Sequence, residues 1–168
     1  MVQICLESLL ASRLDDIIVV LGHNARRILP LLRSEPRTRI IVNREFRSGI
    51  GTSIREGVRR VAPQARAVLV ALGDQPFIPP EVVNALIDTW TSGTKGIVIP
   101  AYRGKRGHPV LFSLPRYRSA LELLDSDVGA RAIVETNEND ILEVAVSSPG
   151  VLLDIDTWAE YESLRDPS

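Results

Sequence analysis

Short apolar runs alternate with longer amphipathic stretches along most of the chain. Runs rich in Val, Ile and Leu, typical of parallel strands covered on both faces, fall at residues 17–21, 40–42, 68–72 and 97–99. Helical patterns lie between them, at residues 24–33, 52–61 and 80–90. Asn24 and Thr52 are predicted N-caps, and Pro80 suits a first helical turn. This alternation predicts βαβ units in a single layered α/β domain over residues 1–168.

The second half of the chain has a less regular pattern. A basic, Gly-rich loop is followed by predicted elements that include two strands and three helices, at about residues 110–112, 116–124, 128–136, 141–146 and from Thr157 onward. Thr157 and Glu160 have the spacing of a capping box. At the other end, Val2, Cys5 and Leu9 share one helical face, so the chain opens in an amphipathic helix rather than a strand.

Composition narrows the function classes. The formal net charge of −1 argues against a sequence-independent nucleic-acid binder, which needs a basic surplus. Cys5 is the single cysteine, which excludes a disulfide framework or a thiolate metal cluster. No apolar run approaches the roughly 20 residues that cross a bilayer, and no leader pattern opens the chain. We therefore expect a cytoplasmic protein without a membrane or nucleic-acid partner.

The strongest candidate for chemistry is residues 72–76, Leu-Gly-Asp-Gln-Pro, directly after a predicted buried strand. Ligands of open α/β sheets bind beyond the carboxyl ends of the strands. Gly73 lets the chain leave the strand, and Asp74 is then presented where a carboxylate can hold Mg²⁺. The alternative is that Asp74 is a turn residue that caps its own backbone.

Asp154 and Asp156 form a second acidic feature. Alternation along a strand would aim both carboxylates at one face. They are either further metal ligands or solvated turn acids before a helix, and the pair in isolation favours the turn acids.

Two loops and one helix start are weaker candidates. Residues 49–53, Gly-Ile-Gly-Thr-Ser, place small residues at a helix N-terminus, where backbone N–H groups can meet a ligand. His108 follows a loop that carries Arg103, Lys105 and Arg106, and such cations attract anionic substrates. Residues 127–131 contain a glycine at a helical start, which indicates close approach by a backbone or a ligand. Each of these has an ordinary structural interpretation as well.

Taken in order, these motifs resemble the molybdenum cofactor cytidylyltransferases and related MobA-like nucleotidyltransferases. The matching segments cover essentially the whole chain and lie at residues 19–23, 43, 49–53, 72–76, 104–112, 127–131 and 154–157. Ser126 and Trp158 depart from the usual Gly and Pro. The resemblance implies a three-layer α/β/α Rossmann-like fold with a mixed, mostly parallel sheet. It implies transfer of CMP from CTP to the phosphate of molybdopterin, with release of pyrophosphate.

The resemblance also implies roles for individual residues and partners. Catalysis would use Asp74 and Asp156, which would hold Mg²⁺ with Asp154 assisting. The remaining site residues would be Gly51, Thr52, Ser53 and Gly73 for the nucleotide, and Arg106, His108 and Arg131 for the acceptor. Partners would be CTP or another NTP, a molybdopterin-type substrate, and a molybdoenzyme or its maturation factor. A GTP preference, a non-catalytic molybdopterin-binding or assembly module, and an unrelated α/β binding domain are the alternatives.

One expected element is absent from the match. Family members begin with a strand and a Gly-rich loop that carries Arg and Lys and wraps the triphosphate. In the family that first strand lies centrally, so its neighbours here would be residues 17–21 and 68–72. We therefore expect a sheet that lacks this strand, a parent gene product that is longer, and little transferase activity in the 168-residue chain. Asp74 and Asp156 on opposite sides of the molecule would exclude the transferase interpretation.

Overall fold

A computed structural model describes residues 1–165, with strands and helices in regular alternation. The strands are β1 (Ile17–Leu21), β2 (Thr38–Val42), β3 (Ala67–Val70), β4 (Ile97–Tyr102), β5 (Lys105–Arg106), β6 (Val110–Ser113) and β7 (Ile141–Ala145). The helices are α1 (Val2–Leu10), α2 (Ala25–Ile28), α3 (Ile50–Val58), α4 (Pro80–Ser92), α5 (Leu114–Glu122), α6 (Arg131–Thr136) and α7 (Trp158–Arg165). None of these helices is long and apolar enough to cross a membrane.

The strands form two sheets. β1 and β2 pair in parallel, with Ile17 opposite Thr38. The second sheet has the order β3–β6–β4, and β5 and β7 both pair with β4. β7 runs parallel to β4, whereas β6 is antiparallel to β3 and to β4. The predicted mixed sheet is confirmed, but antiparallel pairing is more extensive than expected because β6 lies between β3 and β4.

Side-chain alternation gives the five-stranded sheet two apolar faces. On one face Phe112 packs with residues of α3 and α5, among them Val58 and Leu121. On the other face Leu111 packs with Leu86 of α4. Successive residues of a strand point to opposite faces, so Leu111 and Phe112 divide the helices between two outer layers. The predicted three-layer α/β/α fold is confirmed.

The two sheets share no hydrogen-bonded strand pair within the part of the chain that the structure describes. β1 pairs only with β2, and β3 pairs only with β6, so one edge of each strand is open. These are the two strands that the resemblance places on either side of an absent strand. Each buried backbone group left unpaired destabilises the fold by about 1–3 kcal/mol.

Local signals in the sequence were accurate at some helix ends and inaccurate at others. The capping box is confirmed: Thr157 Oγ1 accepts from Glu160 N at 3.2 Å, and Glu160 Oε2 accepts from Thr157 N at 3.0 Å. The prediction that Thr52 is an N-cap is wrong, because Gly49 caps α3 and Thr52 lies inside the helix. Asn24 stands at the N-cap of α2 without a side-chain capping bond.

Candidate active site

Three segments from distant parts of the sequence meet beyond the carboxyl end of β3. Ile155 N donates a hydrogen bond to the carbonyl oxygen of Asp74 at 2.8 Å. Gln75 Nε2 donates to Asp154 Oδ1 at 2.7 Å, although the two residues are 79 positions apart. Because Ile155 stands between Asp154 and Asp156, the structure brings the predicted carboxylates to one place.

Two glycines allow this meeting of backbones. A Cβ atom at Gly150 would lie 2.1 Å from the carbonyl oxygen of Phe77, and one at Gly107 would lie 2.2 Å from that of Val151. His108 N donates to the same Val151 oxygen at 2.9 Å. The loop that carries His108 and the segment that carries the two later aspartates are thus fixed to each other and to the loop after β3.

The charges of the cluster perturb one another. Burial raises the pKa of Asp74, and the negative charges of Asp154 and Asp156 raise it further. Burial lowers the pKa of His108, while Asp154 and Asp74 oppose that shift. Asp74 Oδ1 and His108 Nδ1 are both buried, and neither atom has a hydrogen-bond partner among the described residues. A neutral imidazole therefore stands beside a carboxylate that has an unused buried oxygen.

The donor set fits a hard cation that is shared with a ligand. Residues 1–165 contain no group of three His, Cys, Asp or Glu side chains arranged to hold a metal by themselves. Mg²⁺ is commonly held by one or two carboxylates together with substrate phosphates and water. The unused Asp74 Oδ1 and the exposed Asp156 match that incomplete shell, whereas Asp154 is partly occupied by Gln75.

The loop between β2 and α3 is organised by Asn43, which is 2% exposed. Asn43 Nδ2 donates to Thr52 Oγ1 at 2.8 Å and to Ser53 Oγ at 3.0 Å. Thr52 is 1% exposed, and its hydroxyl donates to the Gly49 carbonyl oxygen at 2.8 Å. The hydroxyl of Thr52 is therefore used within the protein, and among these side chains Ser53 is the half-buried one.

Gly51 is fixed by a second loop. Its N–H donates to the Ser126 carbonyl oxygen at 2.9 Å, and a Cβ atom at Gly51 would lie 2.6 Å from that oxygen. A Cβ atom at Gly49 would lie 2.4 Å from Asp127 N. At Gly49 and Gly51 the close approach is one of backbone to backbone, whereas a Cβ atom at Gly129 would lie 2.8 Å from Ile50 Cγ2, so the approach predicted there is made by a side chain rather than by a backbone or a ligand.

The two arginines assigned to the acceptor lie in ion pairs. Arg106 contacts Glu138 through both terminal nitrogens at 2.8 and 2.9 Å and Glu143 through Nε at 2.7 Å. Arg131 contacts Glu135 at 2.7 Å, with 80% of its side chain exposed. Among the described residues, neither guanidinium forms an ion pair with Asp74, Asp154 or Asp156. Of the residues assigned to the acceptor, the structure places only His108 in the carboxylate cluster.

Some features of the site were not identified from the sequence. Gln75 is 3% exposed and orients Asp154, and Cys5 Sγ contacts the carbonyl oxygen of the exposed Gly73 at 3.3 Å. An open cavity of about 430 Å³ also lies at the carboxyl ends of β1 and β2. Its lining includes three arginines without an ion pair in the described chain: Arg26, Arg27 and Arg44. Clustered arginines in the helix after β1 and the loop after β2 were the available signal.

Comparison with protein families gives one match over most of the chain. The family described as the MobA-like NTP transferase domain matches residues 1–141. A nicotine blue oxidoreductase from Paenarthrobacter nicotinovorans is 28% identical over 166 residues, 94% of this chain and 78% of its own length. A molybdenum cofactor cytidylyltransferase from Escherichia coli is 25% identical over 150 residues, 89% of this chain and 74% of its own.

Solved structures resemble the whole fold. The Mycobacterium tuberculosis protein Rv0371c in complex with manganese superposes with a TM-score of 0.80 at 28% identity, over 97% of this chain and 84% of that one. A nucleotidyl transferase from Methanothermobacter has a TM-score of 0.80 at 23% identity, over 98% of this chain and 78% of that one. The second comparison extends the agreement in fold to a more distant sequence.

Proposed function

The chain belongs to the MobA-like NTP transferase domain family, and on this premise we propose that it transfers CMP from CTP to the phosphate of molybdopterin in the cytoplasm, with release of pyrophosphate. The observation that supports this assignment best is the hydrogen bond from Ile155 N to the Asp74 carbonyl oxygen. That bond joins two carboxylate-bearing segments at the edge of the sheet where α/β proteins bind their ligands.

Asp74 and Asp156 would hold Mg²⁺, with Asp154 assisting. Asp74 contributes a buried oxygen without a hydrogen-bond partner among the described residues. Gln75 orients Asp154 through the hydrogen bond from its Nε2 to Asp154 Oδ1. When bound, the ion neutralises charge on the phosphates and stabilises the leaving pyrophosphate. The carboxylates themselves form no covalent intermediate, because phosphoryl chemistry of this kind depends on positioning and charge compensation.

The nucleotide would lie across the carboxyl ends of the strands. Gly51, Thr52 and Ser53 would border the base, with Asn43 fixing the shape of their loop through the bonds to Thr52 and Ser53. Gly73, which is exposed, leaves room for the nucleotide beside Asp74. The arginines of the open cavity supply positive charge near that end of the sheet.

The acceptor would approach from the side of His108. A neutral imidazole can donate one hydrogen bond to a phosphate oxygen and keep it oriented. Arg106 would act indirectly, because its ion pairs with Glu138 and Glu143 hold the loop that precedes His108. Arg131 would leave its ion pair with Glu135 and bind the acceptor instead. An oxygen of the acceptor phosphate attacks the α-phosphorus of CTP, and the bond between that phosphorus and the bridging oxygen of pyrophosphate breaks.

A non-catalytic molybdopterin-binding or assembly module is the second candidate, and the interruption between β1 and β3 favours it. The loop of Asn43 and the cluster of Asp74 belong to different sheets, so their relative position is less constrained than in one continuous sheet. Such a module would keep the acceptor side, present it to a molybdoenzyme or its maturation factor, and bind nucleotide weakly. GTP in place of CTP is the corresponding variation within the transferase class.

Calorimetry with Mg²⁺ and CTP, GTP or molybdopterin, together with a pyrophosphate-release assay, tests the proposal. We expect metal-dependent CTP binding that Asp74→Asn abolishes and that Asp15→Asn, a change at an exposed carboxylate outside the cluster, leaves intact. Molybdopterin binding without nucleotide binding supports the module, and binding of neither ligand contradicts both candidates. Pyrophosphate release that requires CTP and Mg²⁺ supports the transferase, and its absence despite binding of both ligands contradicts that assignment.

A further inference from the structure

We propose that the outward face of the Trp158 indole binds the planar heteroaromatic ring of the acceptor, while the phosphate of the acceptor lies at the carboxylate cluster. Phe77, Tyr161 and Trp158 form a row of three rings, which we call the aromatic row. This assignment rests on the proposed transfer reaction and deepens it, because it names the side chain that recognises the acceptor. The class of acceptor that follows is a flat, nitrogen-rich ring joined to a phosphate by a short arm.

Trp158 differs from the other aromatic residues in its exposure. It is 54% exposed, and no other Phe, Tyr or Trp among the described residues is exposed. Tyr161 and Tyr117 are each 7% exposed, and Phe112 is 0% exposed. A single exposed apolar side chain is common on protein surfaces, so the surroundings and the position of Trp158 decide whether it forms a binding site.

Arginines cover the other partly exposed rings outside the aromatic row. The three pairs, with the distance from the guanidinium carbon to the ring centroid, are Arg47 over Phe46 at 5.8 Å, Arg66 over Trp90 at 5.6 Å and Arg103 over Tyr102 at 5.2 Å. Each guanidinium occupies the electron-rich face that an aromatic ring presents to a cation. No such cation lies over Trp158 among the side chains that the structure describes, so its outward face is open to a ligand.

The orientation of the indole is fixed by its neighbours. Trp158 Nε1 donates to Glu162 Oε1 at 3.0 Å, and the centroid of the ring lies 4.9 Å from that of Tyr161. Tyr161 stacks in turn on Phe77, with 6° between the two planes. Since Tyr161 occupies one face of the indole and Glu162 occupies its N–H group, the surface left for a ligand is the opposite, apolar face. Such a face binds a second flat ring by offset stacking.

The aromatic row lies beside the carboxylate cluster because both are built from the same two segments. Trp158 follows Asp156 by two positions, so their Cα atoms are at most about 7.6 Å apart. Phe77 follows Asp74 by three positions, and the hydrogen bond from Ile155 N to the Asp74 carbonyl oxygen joins the two segments. A ligand with its phosphate at the carboxylates can therefore reach Trp158 with a ring through an arm of a few atoms.

The surroundings favour the ring of the acceptor over a cationic group and over the base of the nucleotide. Quaternary ammonium groups are recognised by cages of several aromatic rings, whereas Trp158 is the single exposed ring of the described chain. The base would lie at residues 49–53, in a loop that Asn43 fixes from the end of β2. Trp158 instead follows the segment that is fixed to the loop of His108. The ring bound there therefore belongs to the acceptor.

Calorimetry with the 168-residue chain and Mg²⁺ tests this assignment through two phosphates, one with a ring and one without. Neopterin monophosphate carries a pterin on a three-carbon phosphate arm, and glycerol 3-phosphate is that arm alone. We expect the parent chain to bind neopterin monophosphate at least about fivefold more tightly, which is the lower end of what stacking on an aromatic side chain contributes.

Two substitutions at Trp158 separate stacking from the burial of apolar surface. Trp158→Leu keeps apolar bulk without a ring and should weaken binding of neopterin monophosphate by about 5- to 150-fold. Trp158→Phe keeps a ring and should retain most of the affinity. Both variants should bind glycerol 3-phosphate as the parent chain does, and their Tm should stay within about 3 °C of the parent value because the side chain is exposed. Trp90→Phe, which replaces the indole that Arg66 covers, is the control away from the site.

Glu162 is a positioning residue whose role can be measured separately. Glu162→Ala removes the acceptor of the indole N–H and should weaken binding of neopterin monophosphate by about 2- to 10-fold, with no change for glycerol 3-phosphate. Glu162→Gln keeps an acceptor oxygen for Trp158 Nε1 and should restore most of the affinity. A purely structural role would change the affinity for both phosphates alike.

Four outcomes would overturn the assignment of Trp158. They are equal affinity of the parent chain for the two phosphates, unchanged binding of neopterin monophosphate in Trp158→Leu, equally tight binding of phosphocholine, and a loss of Mg²⁺-dependent CTP affinity in Trp158→Leu in place of the loss of acceptor affinity. If the parent chain binds CTP and releases pyrophosphate while one of these occurs, the acceptor assignment alone fails. If neither CTP binding nor pyrophosphate release is found, the transferase assignment itself fails.

Discussion

The two sheets of the molecule differ in how well they are buried. Ile97, Val98 and Phe112 of the five-stranded sheet are 0% exposed. In the two-stranded sheet the middle residues of β1 are half-buried, and Val42 is 54% exposed. Most hydrophobic stabilisation therefore comes from the five-stranded sheet, since it grows with the apolar area removed from water.

The two parts of the candidate active site lie on different sheets. Asp74 follows β3 and His108 precedes β6, so the carboxylate cluster rests on the well-buried sheet. Asn43 follows β2 and fixes the nucleotide-side loop, which rests on the less buried one. We infer that metal binding depends chiefly on the five-stranded sheet, and that nucleotide affinity also depends on how firmly the β1–β2 sheet is held against it.

The largest effect should come from truncating the buried sheet. We expect Phe112→Ala to lower the free energy of unfolding by about 3–5 kcal/mol, because it leaves a cavity at a fully buried position. Val19→Ala in β1 should lower it by about 1 kcal/mol, because Val19 is half-buried. Urea denaturation measures both. Equal losses would show that the two sheets contribute equally to stability.

The next effect tests the contact that assembles the carboxylate cluster. Gly150→Ala forces a Cβ atom against the Phe77 carbonyl oxygen, and we expect a loss of about 2–3 kcal/mol together with weaker metal-dependent nucleotide binding. Gly104→Ala is the matched control: a Cβ atom there meets nothing within 4 Å, although φ is +77°. Gly104→Ala should lower the free energy of unfolding by about 1 kcal/mol and leave metal-dependent nucleotide binding unchanged. A binding loss in both variants would contradict the specific contact.

A smaller effect, with a definite pH dependence, is expected at Asp74. Its pKa is raised by burial and by Asp154 and Asp156, so the folded state binds a proton more readily than the unfolded state. The contribution of Asp74 to stability should therefore be lost as pH rises above the ordinary aspartate pKa of about 4. Asp74→Asn removes this dependence, and its Tm should exceed that of the parent chain at pH 7 and approach it near pH 3.

A lower Tm for Asp74→Asn than for the parent chain at pH 7 would show that the Asp74 carboxylate is stabilised by a partner rather than destabilised by burial. Thermal melts of both proteins across this range measure the difference. His108 titrates in the other direction: burial lowers its pKa, so its contribution to stability is lost as pH falls below about 6.5. The two groups can be separated by repeating the series in His108→Gln.

The smallest effect concerns reactivity rather than stability. Burial raises the pKa of Cys5 to about 11, so at pH 8 very little thiolate is present and reaction with a thiol reagent should be slow. Labelling should accelerate strongly in urea. Rapid labelling without denaturant would show that α1 separates from the segment that follows β3.

The sequence predicted elements better than it predicted their ends. The apolar run at Ile17–Leu21 is β1 to the residue, because nothing interrupts it. The predicted strand at 97–99 continues to Tyr102, since Ala101 still pairs with β7 and β5. Helix α3 begins before Thr52 because Gly49, with φ at +117°, turns the chain earlier. These ends depend on tertiary pairing and backbone conformation that local patterns do not contain.

The site shows the same division between local and distant information. Asp74 was identifiable because a Gly-Asp pair follows an apolar run, and the resemblance to the family suggested that Asp154 and Asp156 lie near it. Gln75 was not identified as the partner of Asp154, since nothing local distinguishes that glutamine from a turn residue. The ion pairs of Arg106 with Glu138 and Glu143 likewise connect residues far apart in the sequence.

Three stacked aromatic side chains lie next to the candidate site and offer a fluorescence signal. The Phe77 ring stacks on Tyr161 at 5.3 Å, and Tyr161 lies 4.9 Å from Trp158. This stack connects the loop after Asp74 to the start of α7, and Trp158 stands two positions after Asp156. In a Trp90→Phe background Trp158 becomes the sole indole, so its emission should shift when an ion or nucleotide reaches the cluster. The intrinsic fluorescence of Trp158 would then report ligand binding at the carboxylate cluster without an added label.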